Sequence, residues 1–174
     1  KPSPDKKAKY EFLSQLPDQF KYRHKKLLDF EDTIIDLNQA YRANLDAYMN
    51  TKYSVSENPT YLIKIDLVNC KIENKDTAST FQKVDRAIVG AKSRNLNWLL
   101  NTEITLKISV SKNGKNILEK TIVSVDEHQS TGRASDLGGG LGSGTSSFAV
   151  KEALDRAVGK SIVMLDKFLV SNGL

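Results

Sequence analysis

Asp126-Glu127-His128 sets two carboxylates beside an imidazole. A carboxylate that orients a histidine is the working part of much acid–base and nucleophilic catalysis. The other histidine, His24, is far off in the chain, and neither has Cys, His or Asp neighbours at metal-ligand spacing. Cys70, the single cysteine, lies inside TYLIKIDLVNCKI. It reads as a small buried hydrophobe rather than a nucleophile, and it can form no internal disulfide. Asp126–His128 then reads as a solvated turn, and Asp29, Glu31 and Asp32 as the acidic start of a helix. The expectation is a protein that is not an enzyme, with no catalytic residues, no metal and no cofactor.

Two further clusters invite a binding role. Gly138-Gly139-Gly140-Leu141-Gly142-Ser143-Gly144-Thr145 is glycine-dense. A phosphate-cradling P-loop needs Lys before its final Ser or Thr and a strand directly upstream. Gly144 holds the lysine's place, and a polar stretch separates the loop from Val125. A dinucleotide site needs a βαβ unit here, whereas the chain closes with a helical pattern. Residues 137–146 therefore read as a flexible loop, with Gly140 a candidate surface contact. The second cluster is Lys21, Arg23, Lys25 and Lys26 in FKYRHKKLL. In an extended chain Phe20, Tyr22 and His24 fall on one side and Lys21, Arg23 and Lys25 on the other. Such a face suits an edge strand guarded by charge, or contact with phosphate or nucleic acid. The net charge of +5 permits nucleic acid, lipid headgroups or lipopolysaccharide as partners.

The elements that would position these residues are clearest from 101 to 125, NTEITLKISVSKNGKNILEKTIVSV. Two β-patterned runs flank Asn113-Gly114, and both residues tolerate the positive φ of a type I′ turn. With that turn, paired numbers sum to 227, so Val110 meets Ile117, Leu106 meets Thr121 and Ile104 meets Val123. Two pairs fit badly: Ile108 faces Glu119 on the apolar side, and Lys112 faces Lys115. Thr60–Ile72 is a second strand. Tyr61, Ile63, Ile65 and Leu67 share one face, and then Val68, Cys70 and Ile72 become the apolar set. A β-bulge at Leu67-Val68, or burial of both faces, explains the change of phase.

Asp29 is expected to cap a helix running to Asn50, with Phe30, Ile34, Leu37, Tyr41, Leu45 and Tyr48 as its apolar stripe. A last helix starts at Ser146 or Ser147, buries Val150, Leu154, Val158, Ile162, Leu165 and Leu169, and stops at Asn172-Gly173. Tyr10–Leu16 is a short mixed segment, and 73–94 fits a helix, a strand or an irregular crossover. Trp98 is placed at the interface of sheet and helix. Lys1–Lys9, KPSPDKKAK, is expected to be a disordered basic tether. Residues 10–174 then form one α+β domain: a two-layer sandwich, with a mainly antiparallel sheet of four or five strands and two long helices on one face.

The pattern from Asn95 to Leu174 resembles a family. NWLLNTEITLKISV, the NGK hairpin, ILEKTIVSV, the loop DLGGGLGSGTSS and the helix VKEALDRAVGKSIVMLDKFL are similar to the YajG-type bacterial lipoproteins and related periplasmic two-layer domains. The resemblance implies export and a lipidated cysteine upstream of Lys1. It also implies a periplasm-facing outer-membrane or cell-surface location, and a non-catalytic role of binding or assembling with an envelope protein, glycan or lipopolysaccharide. Two alternatives stand beside it: a nucleic-acid-binding module using residues 21–26, and a subunit of a self-assembling complex.

Overall fold

The hairpin forms around Asn113-Gly114 in the computed structural model, which describes residues 7–25, 30–54, 58–76, 95–133 and 147–174. Its strands are β5 (Asn95–Lys112) and β6 (Lys115–Arg133). Asn113 has φ 49° and Gly114 φ 77°, the two positive values of a type I′ turn. Lys112 faces Lys115 and Ser111 faces Asn116, as expected. The register then steps by one: Val110 pairs with Leu118, Ile108 with Lys120, Leu106 with Ile122 and Ile104 with Ser124. Ile117 is left over as a bulge residue, 47% exposed. This corrects the unbroken register, and the cause is physical. Without the bulge, Glu119 would sit on the apolar face. With it, Glu119 crosses to the other face and lies 2.9 Å from Lys107. Lys120 takes the inner side instead and extends its ammonium over the Phe168 ring, 5.4 Å from the centroid.

The main sheet has the order β1-β4-β5-β6, where β1 is Ala8–Ser14 and β4 is Tyr61–Asp76. β4, β5 and β6 run antiparallel, and β1 pairs with β4 in parallel. The register of β4 against β5 shifts between Leu67 and Asn69. Val68 is the surplus residue, so Ile63, Ile65 and Leu67 and then Cys70 all face the core. The change of phase read from the sequence is this bulge.

A two-stranded antiparallel ribbon of β2 (Phe20–Lys25) and β3 (Phe30–Ile35) stands apart from the main sheet. Residues 30–35 were expected to open a helix. Thr33, Ile34 and Ile35 are β-branched and pair across to β2, and Ile34 is 51% exposed. Helix α1 (Leu37–Lys52) begins about two turns later than expected, with Asp36 as its N-cap accepting from Gln39 N at 2.9 Å. The basic run is correspondingly an edge of this ribbon and not of the main sheet.

Two other boundaries differ. Ala8 and Lys9, assigned to the tether, belong to β1, and Lys7 bridges to Ser54. Ala8 is small enough to be buried at 3% exposure, which anchors the strand. Residues 1–6, 77–94 and 137–146 lie outside the described residues, as does the Trp98 side chain.

Helix α2 (Ser147–Ser171) and α1 cover one face of the sheet, giving the expected α+β two-layer arrangement. Val150, Leu154, Val158, Ile162, Leu165 and Leu169 are buried, and Ala153, Ala157 and Ser161 bring the helix close to the strands. At its end, Gly173 N bonds to Val170 O at 3.0 Å and Leu174 N to Leu169 O at 2.9 Å. With Gly173 at φ 78° and Leu174 buried, this is a Schellman stop.

Candidate functional site

The expected basic surface divides on inspection. Lys21 and Arg23 project to solvent from β2, while Phe20 and Tyr22 turn toward the core. Arg23 is not free, because Nε lies 2.9 Å from Asp32 Oδ1 and Nη2 lies 3.3 Å from Oδ2. Asp32 stands directly across the ribbon. Hydrogen bonding to that carboxylate raises the guanidinium's pKa. Lys25 belongs to β2, with its side chain outside the described residues; Lys26 and Gly140 lie wholly outside them.

Asp126 and His128 are on β6, not in a loop. Two strand residues rise about 6.6 Å, and four helical residues about 6 Å. Glu152, Arg156 and Lys160 on α2 therefore keep step with β6. His128 Nε2 lies 3.3 Å from Glu152 Oε2, Arg156 Nε is 3.3 Å from Asp126 Oδ2, and Lys160 Nζ is 3.8 Å from Oδ1. Lys160 also donates to the carbonyl of Val125. Asp126 is only 8% exposed and is held between two cations. A carboxylate so placed is a structural counter-charge to the two helix cations. The row laces helix to strand and closes this side of the sandwich.

Cys70 is 7% exposed, and burial pushes its thiol up to about 12. It is therefore protonated and unreactive at neutral pH, as its place in an apolar strand predicts.

The opposite edge of the sheet holds a feature missed by sequence reasoning. A groove of about 510 Å³ runs along β1, lined by Ala8 to Leu13 and by Arg42 of α1. Phe12 stacks on Tyr41, ring centroids 5.5 Å apart and planes 5° apart, and Arg42 Cζ lies 5.4 Å from the Phe12 ring centroid. Tyr10 donates to Asp46, and its phenol is raised to about 12, first by burial and then by that carboxylate. The available signal was the alternation of Ala8, Tyr10 and Phe12 with Lys9, Glu11 and Leu13. Adjacent lysines and Pro2 and Pro4 masked it, since they read as a tail.

Neither protein-family models nor curated proteins give a match to the chain. Among solved structures it is similar to rare lipoprotein B from Shewanella oneidensis, at 12% identity over 95% of this chain and 98% of that one, with a TM-score of 0.44. A score at that level carries no functional argument, so function has to come from the surfaces of the molecule. No helix among the described residues is long and apolar enough to cross a membrane.

Proposed function

We propose that this chain is a non-catalytic domain of a bacterial cell-envelope lipoprotein that binds or assembles with another envelope component: a protein, a glycan or lipopolysaccharide. The observation that carries the binding half is the side of the sheet that no described helix covers. Helices α1 and α2 lie on one face. The other face presents Lys64, Lys71, Lys107, Glu103 and Glu119, with Val123 and Val125 at 48% and 39% exposure beside them. Mixed charge around exposed valines suits a protein or glycan surface more than a reaction centre. The groups most able to do chemistry have structural partners instead: Asp126 with Arg156 and Lys160, and His128 with Glu152. Support for the envelope half is the sequence pattern from Asn95 to Leu174, which resembles exported lipoproteins.

The test is expression of the full reading frame in a bacterium with radiolabelled palmitate, followed by membrane fractionation. Label on the protein and pelleting with outer membranes are expected; an unlabelled protein in the cytosolic fraction overturns the reading. A nucleic-acid module on residues 21–26 is the weaker alternative, because Asp32 already engages Arg23. Unmeasurable affinity for DNA and RNA at low salt would end it.

A further inference from the structure

All four strands of the main sheet come level at the hairpin tip. Ala8, Tyr61, Lys112 and Lys115 stand side by side in one row across β1, β4, β5 and β6. Lys9, Leu62, Ser111 and Asn116 form the next row inward. Beyond the first row, the carbonyl of Lys7 accepts from Thr60 N at 3.0 Å, and the carbonyl of Thr60 accepts from Asn113 N at 3.4 Å. The tip is therefore tied to the start of β1 rather than projecting alone. With neighbouring strands about 4.8 Å apart, the row is about 14 Å wide.

This end of the sandwich is basic. Lys7, Lys9, Lys112 and Lys115 are exposed. None of them has a carboxylate partner among the described residues. The Lys112 ammonium lies instead over the Tyr61 ring, 5.4 Å from its centroid. Further along the sheet, Lys64, Lys71 and Lys107 are matched by Glu11, Glu73 and Glu119. Ile117, the bulge residue, is 47% exposed beside the unmatched lysines.

Like charges held together repel, and an anionic surface relieves that repulsion. A layer of anionic lipid headgroups attracts lysines close to it and also takes up an aliphatic side chain that stands among them. A nucleic-acid backbone would meet the charges but offer Ile117 nothing to bury against. The chain also enters the described fold at this end, through Lys7. An extended chain covers at most about 3.6 Å per residue, so a lipidated cysteine just upstream of Lys1 would lie within about 25 Å of the row.

We propose that this end of the sandwich, the Lys112–Ile117 tip together with Lys7 and Lys9, is a membrane-contact surface that rests on anionic phospholipid headgroups. The lysine ammonium groups meet the phosphates, and Ile117 reaches toward the acyl boundary. The inference rests on the lipoprotein reading above and adds an orientation to it. The sheet stands on end, hairpin tip toward the bilayer, and the amino end of α2 points away.

The probe is vesicles of phosphatidylcholine, alone or with an equal part of phosphatidylglycerol, sedimented with the purified 174-residue chain at low salt. Binding to the anionic vesicles only, weakened by added salt, is expected. Each lysine near such a surface strengthens binding about fivefold, so Lys112→Gln with Lys115→Gln should weaken it about 30-fold, and Lys7→Gln with Lys9→Gln should do the same. Lys64→Gln with Lys107→Gln removes equal charge from the sheet face away from the helices and should change it little. Ile117→Ser should weaken vesicle binding a few-fold and leave any binding to a DNA duplex unmoved. All these positions are exposed, so the fold is kept. The proposal is overturned if the chain does not sediment with the anionic vesicles, or if either tip-end pair weakens binding no more than the sheet-face pair. It is also overturned if a DNA duplex binds more tightly than the vesicles at the same salt, which would make this end a nucleic-acid surface. Palmitate labelling bears only on the anchor, so either result can fail without the other.

Discussion

Tyr41 and Ser161 meet hydroxyl to hydroxyl at 2.6 Å across the seam between α1 and α2, and neither is exposed to solvent. Ser161 donates onward to Val158 O at 2.7 Å, so Tyr41 is the donor between them. The same Tyr41 ring stacks on Phe12. One residue thus joins both helices to the first strand. Tyr41→Phe should lower stability by about 1 kcal/mol, the worth of one ordinary hydrogen bond. Tyr41→Ala also removes the ring and should cost about 3–5 kcal/mol. Urea unfolding of the two variants beside the parent measures both.

Alkaline pH should destabilise the fold through groups that burial keeps protonated. Cys70 is raised from 9.0 to about 12, and Tyr41 from 10.0 to about 12, each chiefly by burial. Where the folded pKa exceeds the unfolded one, the unfolded chain loses its proton first as pH rises. Stability is then fully present below the unfolded value and lost on the way to the folded one. The expected profile is flat to about pH 9 and falls from there toward pH 12, with Cys70→Ala moving the onset toward pH 10. Thermal melts followed by circular dichroism across that range check it. An onset unmoved in Cys70→Ala would remove the thiol from the explanation.

Gly114 and Gly159 offer opposite outcomes for the same substitution. No heavy atom stands within 4 Å of the Cβ position at either, so crowding decides nothing. Gly114 has φ 77° in the turn, and Gly114→Ala should cost about 1–2 kcal/mol. Gly159 lies on the exposed side of α2. Gly159→Ala should add about 0.5–1 kcal/mol by restricting the unfolded chain. Equal shifts in the two denaturation midpoints would contradict this.

Thr102 and Ser124 carry buried hydroxyls beneath α2, and neither oxygen has a hydrogen-bond partner among the described residues. Burying such a group without a partner is unfavourable, and an apolar group of similar shape avoids that cost. Thr102→Val and Ser124→Ala should each stabilise by about 1 kcal/mol. A loss of stability in both would mean that the hydroxyls are satisfied in solution.

Legibility in the sequence followed the strength of local signals. Asn113-Gly114 and the stripe from Val150 to Leu169 each have one dominant physical reading, and each is found; the phase change at Leu67-Val68 had two, and the bulge is the one found. Residues 30–35 misled because Phe30, Ile34 and Leu37 fit helical spacing, while pairing with Phe20–Lys25 is a contact no local window contains. β6 ran past Val125 for a related reason. Its extension through Asp126 and His128 depends on Glu152, Arg156 and Lys160 of a helix far along the chain. The groove along β1 was illegible because Lys7 and Lys9 resemble a tail until β4 is laid beside them. Of the expected contact residues, Lys21 and Arg23 are where the alternation put them, but Asp32 engages Arg23.

The surplus Ile117 has a bearing on descent. Lys112–Lys115 and Ser111–Asn116 above it sum to 227, and Val110–Leu118 below it would do so if Ile117 were absent. A chain that lost this residue would carry the same side chains into the core, in the same partnerships. The hairpin tip is therefore a place where related genes can gain or lose a codon without disturbing what lies under the helices. Alignments that force this tip into gapless agreement would misplace the inward positions of the whole return strand.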